Sequence, residues 1–271
     1  MRTMIHTWTG FCALFLVACA SNKGPAAASV QRGAGTVLSD MSADAVLYQY
    51  ASAEVHYLYL QSYALARLKL DRNLSAPRQK PPAVIVDVDE TVLDNSRYEV
   101  TNVALGRTYT PENWAEWSAM EEADPLPGAV SFLRYADSIG CAVFYITNRS
   151  LEECPSTLSN LRRLGFPQTE EDHVLCKEGG SDKTERRRAV AEAHEIVLLC
   201  GDQLRDMDER FKDRSVEHGK GMVTAMRDSL ERYFVLFPNA MYGTWRDAIM
   251  ERGTDAEKLG RVRRFFKDNA Y

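Results

Sequence analysis

The stretch "AVIVDVDETVLDNS", residues 83–96, sets a run of mostly β-branched apolar residues directly ahead of five carboxylate or amide side chains. The apolar run predicts a strand buried on both faces. In an extended strand alternate side chains share a face, so Asp87 and Asp89 emerge together while Val86 and Val88 point the other way. Two carboxylates at that spacing repel. Either one keeps its proton, or a cation lies between them, or the pair opens to water.

Further short apolar runs follow at 142–148 ("AVFYITN"), 173–176 ("HVLC"), 195–202 ("EIVLLCGD") and 233–239 ("YFVLFPN"). Helical patterns at 128–139, 151–164, 183–193 and 255–268 fall between or after them. This alternation predicts an α/β fold: βαβ units forming a parallel sheet with helices on both faces. Ligands of such sheets bind beyond the carboxyl ends of the strands. Those ends carry Asp87 and Asp89, then Thr147 and Asn148, then Asp202 with Asp206 close behind, while Lys183 opens a helix. A hard divalent cation with oxygen ligands relieves the carboxylate repulsion, and Mg²⁺ suits a site with few protein ligands and several waters. Lys183, a helix amino terminus and that ion would together neutralise a phosphate dianion.

Upstream, 44–70 has no Gly or Pro and keeps apolar residues at mixed spacings of three and four, which predicts one long helix with a broad buried face. His56 lies inside it and reads as a satisfied structural histidine. The chain begins with Arg2, a spacer and the apolar run "FCALFLVA", too short to span a bilayer and read as a secretory signal over 1–18. Residues 19–36, rich in Gly, Ala and Ser, read as a tether ahead of a folded unit at 37–271.

The whole chain has 271 residues, 45% hydrophobic and 26% charged, enough to bury one sizeable core. Its formal charge of −5 gives no electrostatic basis for binding a nucleic acid polymer. The densest basic run, "RRR" at 186–188, is flanked by Glu185 and Glu192 and reads as a solvated helix face. "GGSDKT" at 179–184 lacks the Gly-Lys-Ser/Thr ending of a P-loop, and no HExxH, CxxC pair or GxSxG is present.

"DVDET" with Thr147, Lys183 and "GDQLRD" resembles, in order, the four motifs of the haloacid dehalogenase (HAD) superfamily. "DVDETVLDNSRY", "FYITNR" and "FPNAMYGTW", with "SAEVHYLYLQSYALAR" and "NWAEWSAMEEADPLPGA", are similar to the class C (nonspecific) acid phosphatases, bacterial lipoprotein phosphatases that include outer-membrane lipoprotein e. The resemblance implies a HAD-like, Rossmann-like fold with a small, mainly helical cap near 37–75 and 96–126. It implies Asp87 as the nucleophile that becomes a phosphoaspartate, and Asp89 as the acid and base. Mg²⁺ would be held by the Asp87 carboxylate, the Asp89 backbone carbonyl, Asp202 and Asp206, and the phosphoryl oxygens by Thr147, Asn148 and Lys183. Met207 stands where the family has an aromatic residue.

The family clamps a nucleotide base between two aromatics, and the matching positions are Trp114 and Tyr242; Trp117 reads as core. "LVAC" at 16–19 resembles a lipobox, so Cys19 would carry lipid and anchor the protein in the bacterial envelope, at the outer membrane facing periplasm or surface. Of the remaining cysteines, Cys141 and Cys200 read as buried thiols, and Cys154 and Cys176 as a possible bridge. Three functions stay open: a phosphomonoesterase acting on nucleotides and other small esters, a phosphotransferase of the same fold, and a non-catalytic binding lipoprotein.

Overall fold

A computed structural model describes residues 32–271, so the signal segment, Cys19 and most of the tether lie outside the described residues. Helices α1 (Ala34–Ala51) and α2 (Ala53–Leu74) lead into strand β1 (Pro82–Val86). A short antiparallel pair, β2 (Leu93–Asp94) and β3 (Asp124–Pro125), brackets α3 (Ser96–Ala104) and α4 (Pro111–Met120). The order continues α5 (Ala129–Ser138), β4 (Ala142–Ser150), α6 (Cys154–Arg163), β5 (Val174–Lys177), α7 (Thr184–Ala193) and β6 (Glu195–Gly201). It ends with α8 (Lys220–Ala225), α9 (Arg227–Tyr233), β7 (Phe234–Leu236), α10 (Thr244–Met250) and α11 (Asp255–Asp268).

The main sheet runs β5-β4-β1-β6-β7 with every neighbouring pair parallel. All five predicted strands are therefore present, and β1 is central. Its alternate residues feed two cores: Val84 and Val86 pack with α2 on one face, Ala83 and Ile85 with Phe144, Ile146 and Val190 on the other. After β1 the chain fills one side with β4 and β5, then returns to place β6 on the other. That change of direction opens a crevice at the carboxyl end of β1.

The predicted long helix is two. Ser52 leaves helical geometry (φ −86°, ψ 137°) and its hydroxyl accepts a hydrogen bond from the Val55 amide at 3.1 Å, an N-cap that a periodicity without Gly or Pro conceals. α1 also starts earlier than the tether reading allows, at Ala34. It buries Leu38 and Val46 and is also held by hydroxyls, Thr36 donating to the Gly106 carbonyl and Ser39 to that of Asn102. α2 belongs to the body rather than to a cap. Val55, Tyr59, Tyr63, Ala66 and Leu70 enter the main core, and Tyr59 donates to the Pro238 carbonyl at 2.7 Å while Asn73 donates to that of Val197 at 2.8 Å. His56 is not a structural core histidine, since it lies on the exposed face of α2.

Cys154 and Cys176 form a disulfide joining the start of α6 to β5, and Cys141 and Cys200 are buried thiols. The bridge spans 22 residues, a closure worth about 3 kcal/mol by chain entropy. Replacing both by Ser is expected to lower unfolding free energy by about that amount in urea titrations. An unchanged midpoint and slope would show that the two segments are held together without it.

Candidate active site

Beyond Val86 the chain stops being a strand. The Asp87 amide still donates to the Cys200 carbonyl at 2.9 Å, but the Val92 and Leu93 amides then both turn back to the Val88 carbonyl, with Glu90 in left-handed geometry at φ 55°. Asp87 thus leaves a strand end and Asp89 a turn, so the shared face of an ideal strand is not what unites them. They meet because both line one cavity of about 500 Å³.

Each carboxylate has its own buried cation. The Lys183 ammonium bridges Asp87 and Asp206, reaching the latter at 2.7 Å. Arg149, 2% exposed, donates to Asp89 Oδ1 from Nη2 at 2.8 Å and from Nε at 3.0 Å. Asn95 joins this group, giving its amide to Asp89 Oδ1 at 2.9 Å and accepting from the Trp117 indole at 2.8 Å. Trp117 is therefore a buried support, as its sequence reading had it. Asp202 accepts from Asn239 at 2.7 Å and from the Gln203 side chain at 2.8 Å. A Cβ at Gly201 would strike the Asp206 carboxylate, so this position needs glycine.

Asp87, Asp202 and Asp206 place carboxylate oxygens within 4.8 Å of one another, a set that could hold a metal ion. One ammonium does not neutralise them. Burial pushes the Asp87 carboxyl well above the usual range, Lys183 opposes this, and Asp206, Asp202 and Asp89 add to it. Burial and then Asp206 push Asp202 up to about 7. Burial alone would lower the Lys183 ammonium, but Asp206 and Asp87 outweigh it and hold it above the lysine range. Oxygen donors of this kind, short of positive charge, fit a hard divalent cation. The Asp89 carboxylate is outside the triad and tied to Arg149, which leaves its backbone carbonyl as its route to an ion. Glu90, fully buried and pushed well up by burial and by Asp89, Asp202 and Asp94, keeps Oε2 without a partner.

Asn148 and Lys183 stand on the cavity wall. Thr147 does not: its hydroxyl is buried within β4 and accepts from the Arg149 amide at 3.1 Å. The "RRR" run is not a solvated face. Arg186 donates to the Thr147 and Leu175 carbonyls and, at 2.8 Å, to Asn148 Oδ1; Arg187 donates to the Asp206 carbonyl at 3.1 Å; only Arg188 points outward, to Glu185. Arg149, Arg186, Gln203 and Asn239 thus complete a site that the sequence reading had left without them. Arg149 and Asn239 lie inside the family-like strings "FYITNR" and "FPNAMYGTW", which was the available signal.

Trp114 and Tyr242 both line the cavity. Thr110 and Asn113 form a capping box with Pro111 in the first turn of α4, which places Trp114 at the start of that helix. Its ring stands edge-on to Tyr98 at 5.1 Å, and the Arg149 guanidinium lies 5.4 Å from its centre.

The profile of the HAD superfamily, subfamily IIIB (Acid phosphatase), matches residues 12–245. The chain belongs to this family. The structure of the class C acid phosphatase from Bacillus anthracis is similar at 36% identity and a TM-score of 0.80, covering 86% of this chain and 98% of that one. The same values hold for the crystal structure of that protein with tungstate bound. Acid phosphatase 1 of Solanum lycopersicum is 30% identical over 132 residues, 45% of this chain and 51% of the relative, so the chain spans about half the length of the curated relatives it matches. The HAD fold expected from the motifs is thus the fold found.

A carboxyl whose folded pKa is raised binds protons that the unfolded chain has already lost, so its burial costs stability once the pH passes the unfolded value near 3.9. Metal-free protein is expected to lose melting temperature between about pH 4 and pH 7, where Asp202 ionises. Asp202→Asn should flatten that decline, and a divalent ion should reverse it in the wild type only. Identical profiles for both proteins would show that Asp202 is already ionised at pH 4.

Proposed function

We propose that the protein is a Mg²⁺-dependent acid phosphatase that hydrolyses phosphomonoesters through a phosphoaspartate on Asp87. The observation that carries this reading is the division of labour between the two aspartates: Asp87 sits with the metal-binding triad and Lys183, and Asp89 sits apart from it on Arg149. Tungstate is an oxyanion like phosphate, and its presence in the Bacillus anthracis relative supports the same reading.

A Mg²⁺ ion held by Asp87, Asp202, Asp206 and the Asp89 carbonyl would neutralise phosphoryl charge and keep Asp87 ionised. Lys183 and Asn148 take phosphoryl oxygens at the wall, with Thr147 behind them. An Asp87 oxygen then bonds to phosphorus as the ester P–O bond breaks. The leaving oxygen receives its proton from Asp89. In the second half Asp89, now a carboxylate, takes a proton from the water that attacks the phosphoaspartate, releasing phosphate and restoring Asp87. A leaving-group acid works only while protonated, so activity is expected at acidic pH. Arg149 fixes where that carboxyl stands.

Trp114 and Tyr242 would grip the remote part of the ester, which favours nucleoside monophosphates. Lipidation at Cys19 would hold the enzyme at the outer membrane, facing periplasm or surface; fatty-acid labelling lost in Cys19→Ser tests this.

Asp87→Asn and excess chelator are each expected to abolish turnover, and Mg²⁺ to restore it after chelation; activity undiminished in chelator would reject the metal. Arg149→Met should lower kcat on alkyl phosphates by roughly 10², within the range of general acid catalysis, and far less on p-nitrophenyl phosphate, whose leaving group needs no proton. Equal losses on both esters would mean that Arg149 serves folding alone. Trp114→Ala with Tyr242→Ala should raise KM for nucleoside monophosphates by about 1 to 3 kcal/mol per lost stack and spare small aliphatic phosphates. A matching rise for both substrates would assign the two rings to packing.

A further inference from the structure

The cavity that holds the aspartates has a second wall that the phosphoryl chemistry does not use. Leu38, Ser39 and Ser42 of α1 line it, with Glu99 and Asn102 of α3 and Arg246 of α10. Both aromatics adjoin this wall. Tyr98, next to Glu99, meets Trp114 edge-on at 5.1 Å, and the Met241 carbonyl, one residue before Tyr242, accepts from Arg246 Nη1 at 3.0 Å. Asn102, 2% exposed, is the informative residue. Its Oδ1 accepts from Arg107 Nε at 2.9 Å and its carbonyl from the Ser39 hydroxyl at 3.2 Å, while Nδ2 is left without a hydrogen bond. A buried amide donor in that state is costly and calls for an acceptor. Glu99 lies one helical turn back on the same face. It is near enough to feel the Asn102 amide, yet no hydrogen bond closes between them. Burial lifts the Glu99 carboxyl above its usual range, although Asn102 and Arg246 oppose this. Arg246 could have paired with it and instead gives Nη2 to the Ser42 hydroxyl at 2.8 Å.

We propose that Glu99 and Asn102 form a subsite that reads the edge of the substrate's ring, taking a group that presents an N–H beside an acceptor atom. The N–H donates to the Glu99 carboxylate, and Asn102 Nδ2 donates to the neighbouring acceptor. Bases and carboxamides have such an edge, and apolar rings do not. The inference rests on the nucleotide reading above. It adds hydrogen bonds to a stacking clamp that any flat ring would satisfy. Charge agrees with a neutral group. Along this wall Arg107, Arg246 and Lys258 are matched by Glu99, Asp247 and Asp255, so a second phosphate would find no surplus of positive charge there.

The test assays the full chain with Mg²⁺ on uridine 5′-monophosphate, on its 3-methyl analogue, which lacks the N–H, and on glycerol phosphate. Methylation is expected to lower kcat/KM about tenfold or more, through KM, because it leaves Glu99 unpaired. Glu99→Ala should bring the two uridine esters together by lowering the unmethylated one, and Glu99→Gln, which keeps an acceptor oxygen, should retain part of the difference. If Glu99→Ala instead raised the methylated ester to meet the other, the wall would be excluding bulk and the proposal would fail. Equal wild-type values for the two uridine esters, both above glycerol phosphate, would overturn the subsite and leave the nucleotide reading standing. No preference for either over glycerol phosphate would overturn both. A loss confined to 2′-deoxyuridine monophosphate would give Glu99 and Asn102 to the sugar and likewise overturn the proposal.

Discussion

Lys183 is placed between Asp87 and Asp206 with almost no exposure to water, and much of the fold exists to put it there. A buried ammonium is costly unless its partners are close and ionised, and buried carboxylates are costly without a cation. The two needs are met at one point where three separate segments arrive: the end of β1, the start of α7 and the loop after β6. Parallel strands deliver those segments to the same edge of the sheet. Helix α7 supplies more than its first turn, because Arg186 and Arg187 reach back to fix the carbonyls of Thr147 and Asp206. The imbalance that remains, three carboxylates to one ammonium, is what makes the crevice receptive to a further cation.

Arg149 performs a parallel task for Asp89. Its guanidinium satisfies the carboxylate from two nitrogens, a geometry that fixes orientation as well as charge. Asn95 links the same carboxylate to Trp117, and Arg149 also stands beside Trp114. Helix α4, which carries both tryptophans, is thereby tied to the aspartate expected to move protons.

The strands and the order of the motifs were legible because a strand buried on both faces leaves a continuous apolar run, and strand ends are where polar residues become affordable. "AVIVDVD" contains both signals in seven residues. What was not legible depends on contacts far apart in sequence. Ser52 ends a helix through a local cap that the periodicity does not register. Arg186 looks solvated by its neighbours in sequence and is instead claimed by β4 and β5. The Asp87–Asp89 spacing suggested a shared strand face, yet the strand ends at Val86 and the two carboxylates go to different cations. Thr147 was placed among the phosphate ligands, and the structure buries its hydroxyl within β4, where it accepts from the Arg149 amide.

The central claim is that Asp87 bonds to phosphorus. It is tested most directly by trapping the phosphoryl group during turnover and locating it on the peptide that contains Asp87. Water attacking the phosphorus of a phosphoaspartate puts solvent oxygen into the released phosphate and leaves the aspartate oxygens unchanged, so the phosphoryl group itself must carry the label. The account therefore predicts, on rapid acid quench with ³²P-labelled ester, radioactive phosphate covalently bound to the Asp87 peptide and absent from Asp87→Asn. Full turnover with no label trapped on that peptide at any quench time would contradict it.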